Sequence, residues 1–193
     1  FRPGGTLTGY AFMKMLLGAL GYDAEIEQYT GPNWSINVAK RAIGIKLNKG
    51  LEKTFNGVDY ITREEACLYA FNTLQADLVR YDSRITTTIN GAQVTVGNSP
   101  AESRKWDSQA TRVNNIREDN IVQFAEEYFN KLEKKVDEDE FMRPAYTWVY
   151  DKEEIGTYVD WELMVDEYTD GVTGRTLYDL LGGLYVIPIS ESI

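Results

Sequence analysis

The first regular pattern along the chain is an apolar stripe at helical spacing, Phe12, Met15, Leu16 and Leu20, stopped by Gly21. It predicts an amphipathic helix over residues 8–20. After a polar linker containing Gly31-Pro32, a short second helix is expected from residue 33 or 35, burying Ile36, Ala39 and Ile43 and ending at Gly44. Gly50, Phe55 and Gly57 punctuate a loop, and Thr62-Arg63-Glu64-Glu65 then opens a third helix with Ala66, Cys67, Ala70, Phe71 and Leu74 as its apolar stripe. Thr62 and Glu65 have the spacing of a capping box. The hydroxyl accepts from the amide of residue 65 while the carboxylate accepts from the amide of residue 62.

Beyond Arg80 the period falls to two. Ile85, Thr87 and Ile89 precede Asn90-Gly91, and Ala92, Val94 and Val96 follow it. An Asn-Gly pair favours a two-residue type I′ turn, which sets residue 89 opposite 92, 87 opposite 94 and 85 opposite 96, all on one face. The cover expected for that face is a helix over residues 119–135 with Val122, Ala125, Phe129 and Leu132 as its stripe, after a long polar loop over residues 98–118. Residues 145–150 and 161–168 read as strands separated by Asp151-Lys152-Glu153-Glu154. A short helix over residues 176–181 and a strand over residues 184–189, interrupted by Pro188, complete the pattern. The fold class expected is α+β, a helical bundle over residues 1–80 followed by a small antiparallel-sheet-plus-helix domain over residues 81–193.

Charge sharpens that division. Residues 1–80 hold nine Lys+Arg and eight Asp+Glu, whereas residues 81–193 hold 11 and 22, so the net charge of −10 belongs to the second part. Such a surface repels nucleic acid, and without a Lys/Arg cluster to track phosphates no nucleic-acid partner is expected. The chain has no histidine, which removes the commonest metal ligand and the usual proton shuttle at neutral pH. One cysteine, Cys67, forms no internal disulfide. No apolar run reaches the roughly 18 residues of a membrane span. With Phe1 in the place of an initiator and no leader-like segment, the chain is expected to be a processed or excised piece.

Chemistry-bearing clusters are few. Asp137-Glu138-Asp139-Glu140 is the densest acidic run. It lacks the glycine and final glutamate of a calcium-binding EF-hand loop, and a solvated turn with no metal is the expectation. Tyr146, Trp148, Tyr150, Tyr158, Trp161 and Tyr168 form either a sugar-stacking platform or, because strands alternate, partly a core. Cys67 on an apolar helix face behaves as a small hydrophobe, and no histidine is present to activate it as a nucleophile. Thirty acids single out no glycosidase pair. No catalytic residue and no cofactor are expected.

Trp34, Ala39, Ala42, Gly44-Ile45, Gly50, Phe55 and Ile61-Thr62-Arg63-Glu64-Glu65-Ala66, in that order and spacing, resemble the S-layer homology repeat. The fuller copy covers residues 31–80. Phe1-Arg2-Pro3 and Thr6-Leu7-Thr8 resemble the start of the second half of a preceding repeat, a partial copy over residues 1–30 in which Gly9 and Ala11 hold the positions of the family's Arg and Glu. The resemblance implies helical modules that bind pyruvylated secondary cell-wall polysaccharide in grooves between repeats, outside the cell on the wall. It carries Arg63 over as a ligand contact, since a guanidinium fork pairs bidentately with a ketal carboxylate. On the residues alone, Arg63 equally pairs with a neighbouring acid. Trp34 either stacks on a sugar ring or anchors its helix in the core.

Phe124-Ala125-Glu126-Glu127-Tyr128-Phe129, then Phe141 with Arg143-Pro144-Ala145 and Thr147-Trp148, Glu154-Ile155-Gly156-Thr157-Tyr158 and Leu177-Tyr178-Asp179-Leu180-Leu181-Gly182 look like a segment that follows such repeats in surface proteins of anaerobic gut Firmicutes. That resemblance implies an extracellular setting and no activity. The expectation is a non-enzymatic surface protein whose partners are cell-wall polysaccharide or other surface-protein subunits. The alternatives are a self-assembling module of a surface layer or filament, and a tethered carbohydrate-active domain.

Overall fold

Thr62 caps its helix as its spacing with Glu65 predicts, and Thr8 caps the helix expected over residues 8–20. The computed structural model describes residues 5–81, 85–89, 92–96 and 100–159. Thr8 Oγ1 accepts from the Ala11 amide at 3.3 Å and opens α1, Gly9–Ala19. Thr62 Oγ1 accepts from the Glu65 amide at 3.1 Å while Glu65 Oε2 accepts from the Thr62 amide at 2.7 Å, and this complete box opens α3, Arg63–Leu74. Between them α2 spans Trp34–Gly44.

Helix α1 ends in a Schellman motif, with Tyr22 donating to the Leu17 carbonyl and Gly21 to that of Gly18. Gly21 has φ +98°, and a Cβ there would lie 2.7 Å from the Val79 carbonyl oxygen, so glycine meets both the backbone and the space requirement. Helix α2 ends the same way, but Lys46 at φ 59° is the left-handed residue rather than Gly44.

All three helices bury a face rotated from the expected one. In α1 the buried positions are Gly9, Met13 and Leu17, and Met15 is 60% exposed. In α2 they are Val38 and Ala42, with Ile36 and Ile43 outside. In α3 they are Tyr69 and Thr73, and Cys67 is exposed rather than on the core face. The core gathers Met13, Leu17, Leu20, Tyr29, Val38, Leu47, Tyr69, Leu78 and Val122, each large apolar side chain contributing about 1.5–3 kcal/mol by leaving water.

The two helix entries are laced together. Ile61 donates to the Leu7 carbonyl at 3.0 Å, Gly9 to that of Asp59 at 3.0 Å and Tyr10 to that of Gly57 at 2.8 Å. The Tyr10 ring fills the space where a Cβ on Gly57 would sit, 2.1 Å from its nearest atom.

The chain divides into units after Asn130, not at the expected boundary of 80/81. The physical reason is a weave of three segments: Leu78 donates to the Val122 carbonyl, Val122 to that of Arg104 and Arg104 to that of Leu78, at 2.8–2.9 Å. β1 (Val79–Arg80) pairs antiparallel with β4 (Glu102–Ser103) beside it. Between these, β2 (Ile85–Ile89) and β3 (Ala92–Val96) form a hairpin in the expected register, Ile85 with Val96, Thr87 with Val94 and Ile89 with Ala92. The turn residues Asn90-Gly91 lie outside the described residues. The helix expected over residues 119–135 is not formed. Only α4, Phe124–Tyr128, is helical, and Leu132–Glu138 is strand β5.

In the second unit β5 pairs with β6 (Pro144–Tyr150), which pairs with β7 (Glu153–Tyr158), all antiparallel. Strand β6 matches the expectation, whereas β7 replaces the expected acidic connection. Its turn is Asp151-Lys152, with φ 50° and 76°, the positive pair a type I′ hairpin needs. Gly156 on β7 lies opposite Trp148, with open space where a side chain would stand. The elements expected over residues 161–168, 176–181 and 184–189 lie outside the described residues. The whole is α+β, helices first and the three-stranded sheet after.

Candidate functional site

Arg63 is the first residue of α3, set there by the Thr62 cap just before it. Its side chain is exposed, and among the described residues no ion-pair or hydrogen-bond partner meets it, so the neighbouring-acid pairing considered from sequence is not made. Trp34 opens α2 and is half-buried against the core, with Lys14 Nζ 5.5 Å from its ring centroid. One side of the ring thus packs on the core while a cation lies over it. No hydrogen bond or ring contact joins Arg63 to Trp34.

A built polar cluster lies elsewhere, between the turn at residues 26–28 and α2. Arg41 Nη2 bonds Glu27 Oε2 at 2.8 Å, and the Glu27 side chain is only 12% exposed. Tyr81 donates to Glu27 Oε1 at 3.0 Å, accepts from the Asp23 amide at 3.2 Å, and so ties the end of β1 to the turn. The Arg41 guanidinium also lies 5.1 Å from the Tyr22 ring centroid, and Asn37 Nδ2 donates to the Gln28 carbonyl at 3.1 Å. Burial, reinforced by the Glu27 carboxylate it faces, pushes the Tyr81 phenol up to about 12. Burial raises Tyr29 and Tyr22 as well. The cluster borders a cleft of about 480 Å³ whose walls include Ile26, Asn37, Lys40 and Ile45. Nothing in the sequence pattern pointed to it, since Glu27 and Arg41 read separately as surface charges.

A second cluster was also silent in the sequence. Glu126 is 1% exposed, and its carboxylate accepts from the amides of Ile116 at 3.1 Å, Arg117 at 3.3 Å and Gln123 at 3.2 Å. The Gln123 side-chain amide is satisfied with its nitrogen on the same carboxylate, 2.9 and 3.1 Å from its oxygens, and its oxygen on Arg117. Burial pushes the Glu126 carboxyl above its ordinary range, and the three backbone amides pull it the other way. Arg117 in turn bridges Asp77 and Asp119. With every charge answered, this cluster is a structural lock that fixes residues 116–126.

The acidic run folds as a tight turn. Asp139 accepts from the amides of Phe141 and Arg143 and from Arg143 Nε at 2.7 Å, and the Arg143 bond holds its carboxyl below the usual aspartate range. Among the described residues no group of acids or cysteine is placed to hold a metal ion. Of the aromatics, Trp148 is 5% exposed and belongs to the core. Tyr146 and Tyr158 pack together with ring centroids 5.9 Å apart, and Tyr150 is 46% exposed. Trp161 and Tyr168 lie outside the described residues. Among the described residues no helix is long and apolar enough to cross a membrane. Comparison with protein-family models, with curated proteins and with solved structures gives no match.

Proposed function

We propose that this chain is a non-enzymatic part of an extracellular surface protein, attached to the cell wall through its S-layer-homology-like region, with secondary cell-wall polysaccharide as the ligand. The observation that carries the reading is Arg63, held by a complete capping box yet exposed and unpaired among the described residues. An uncommitted guanidinium is suited to a carboxylate on a glycan, and no ion pair among the described residues has to be broken before it binds. The reading is supported further by the order of Trp34, Gly44-Ile45 and Ile61-Thr62-Arg63 in the sequence. Repeats acting together would strengthen a weak single contact through effective concentration.

The test is sedimentation with purified cell wall. Wild type pellets, and Arg63→Ala weakens pelleting about tenfold, the scale of a lost charge-assisted contact. Arg63→Ala pelleting like wild type would remove Arg63 from the reading, and wild type remaining in the supernatant would remove wall attachment itself.

A further inference from the structure

Two surfaces of this protein are apolar and carry opposite charge. The first is the loop between β5 and β6, where Phe141 and Met142 are 67% and 76% exposed. The loop is firmly built: Asp139 clasps the amides of Phe141 and Arg143, and the Met142 amide donates to the Asp139 carbonyl at 2.9 Å. Met142 sits at φ 57°, a region that disfavours side chains. Arg143 is committed to Asp139. Asp137, Glu138 and Glu140 are all exposed, so with Asp139 the run sets four acids beside the two apolar side chains against the single Arg143, whose guanidinium lies 5.1 Å from the Phe141 ring centroid.

The second surface is the outward side of α2. Ile36 and Ile43 are 66% and 49% exposed, and the exposed Lys40 lies between them at helical spacing. Helix α2 contains Lys40 and Arg41 and no acid. Lys40 has no ion-pair partner among the described residues, and it also lines the 480 Å³ cleft beside the 26–28 turn, a volume within the range that accepts a bulky side chain.

We propose that the Phe141/Met142 tip of one molecule docks on the Ile36, Lys40 and Ile43 face of a second copy. An acidic run beside an apolar tip meets a basic residue between two apolar ones, which is electrostatic complementarity over a hydrophobic contact. Because tip and face are different surfaces, the contact is heterologous, closing into a ring where the rotation permits and otherwise continuing beyond two copies. The contact area is small, so binding is weak and salt-sensitive. The inference does not depend on wall attachment.

Analytical ultracentrifugation of the full chain tests it with two variants at exposed positions, Phe141→Ser with Met142→Ser, and Ile36→Ser with Lys40→Glu, each checked for wild-type circular dichroism. The average mass of wild type rises with concentration, and less so at high salt. Each variant alone associates about tenfold more weakly or worse, as expected when the central residues of a contact are removed. An equimolar mixture of the two variants recovers dimers and nothing larger, because one supplies the intact face and the other the intact tip. A wild-type mass that does not change with concentration, a variant that associates like wild type, or a mixture that stays monomeric would each overturn the proposal.

Discussion

Glu126→Ala measures how much the buried lock contributes. Among the described residues a glutamate reaches back to the amide three residues before it at two helix starts: Glu65 to Thr62, exposed, and Glu126 to Gln123, buried. Removing the hydroxyl of an exposed cap, Thr62→Ala, costs about 1 kcal/mol. Removing the Glu126 carboxylate leaves the amides of Ile116 and Gln123 without an acceptor, on residues 7% and 0% exposed. Each such orphan costs about 1–3 kcal/mol. Part is regained because a carboxylate no longer has to be desolvated, an effect that the raised pKa of Glu126 records. The net loss is about 3 kcal/mol. At a denaturant slope of about 2 kcal/mol per M, the urea midpoint of the first unit falls by roughly 1.5 M. Amide exchange at residues 116 and 123 accelerates in step, since both lose their bond at once. A Glu126→Ala loss no larger than that of Thr62→Ala would refute the reasoning, because burial would then add nothing to the value of the cap.

Lys152→Gly stabilises the second unit by about 1 kcal/mol, read as a higher melting temperature, because Lys152 holds φ 76° in a turn that glycine enters without strain. Tyr81 titrates near pH 12 by ultraviolet absorbance. Since this folded value lies above the ordinary 10.0, the contribution of Tyr81 to stability is complete below pH 10 and is lost as pH rises through about 12. Tyr81→Phe removes that alkaline loss of stability.

The helix starts were legible because caps are local: Thr8 and Thr62 act on amides three residues away, whatever else the chain does. The buried faces were not. In α1 the run Phe12-Met13-Lys14-Met15-Leu16-Leu17 is apolar around most of the helix, so periodicity cannot say which side meets Leu78 and Val122. In α2 two stripes compete, and the small Val38 and Ala42 pair, which allows close approach to α1, is buried instead of the bulkier Ile36 and Ile43. The failed helix over residues 119–135 has a similar origin. Val122, Ala125 and Leu132 are all buried as expected, but their helical spacing coincides with a strand in which seven residues of β5 find partners on β6, and tertiary pairing overrides propensity. The register of β2 with β3 was readable because Asn-Gly announces its turn. Asp151-Lys152 makes its hairpin without a glycine, and β7 was missed. Arg63 was singled out by the motif it resembles, whereas the cluster of Glu27 with Arg41 and Tyr81 required contacts across 14 and 54 positions.

The lacing of residues 7–10 to residues 57–61 has a consequence during synthesis. Helix α1 leaves the ribosome well before residues 57–61, yet the carbonyl of Leu7 and the amides of Gly9 and Tyr10 find their partners only when Ile61 has appeared. The Met13 and Leu17 stripe waits longer, until Leu78 and Val122 are available to close the core. Contacts this distant in sequence form slowly, and an apolar helix left open invites association with other nascent chains. Helix α1 is thus made well before it can be finished, and premature stops before Val122 release chains in which it is still unsheltered.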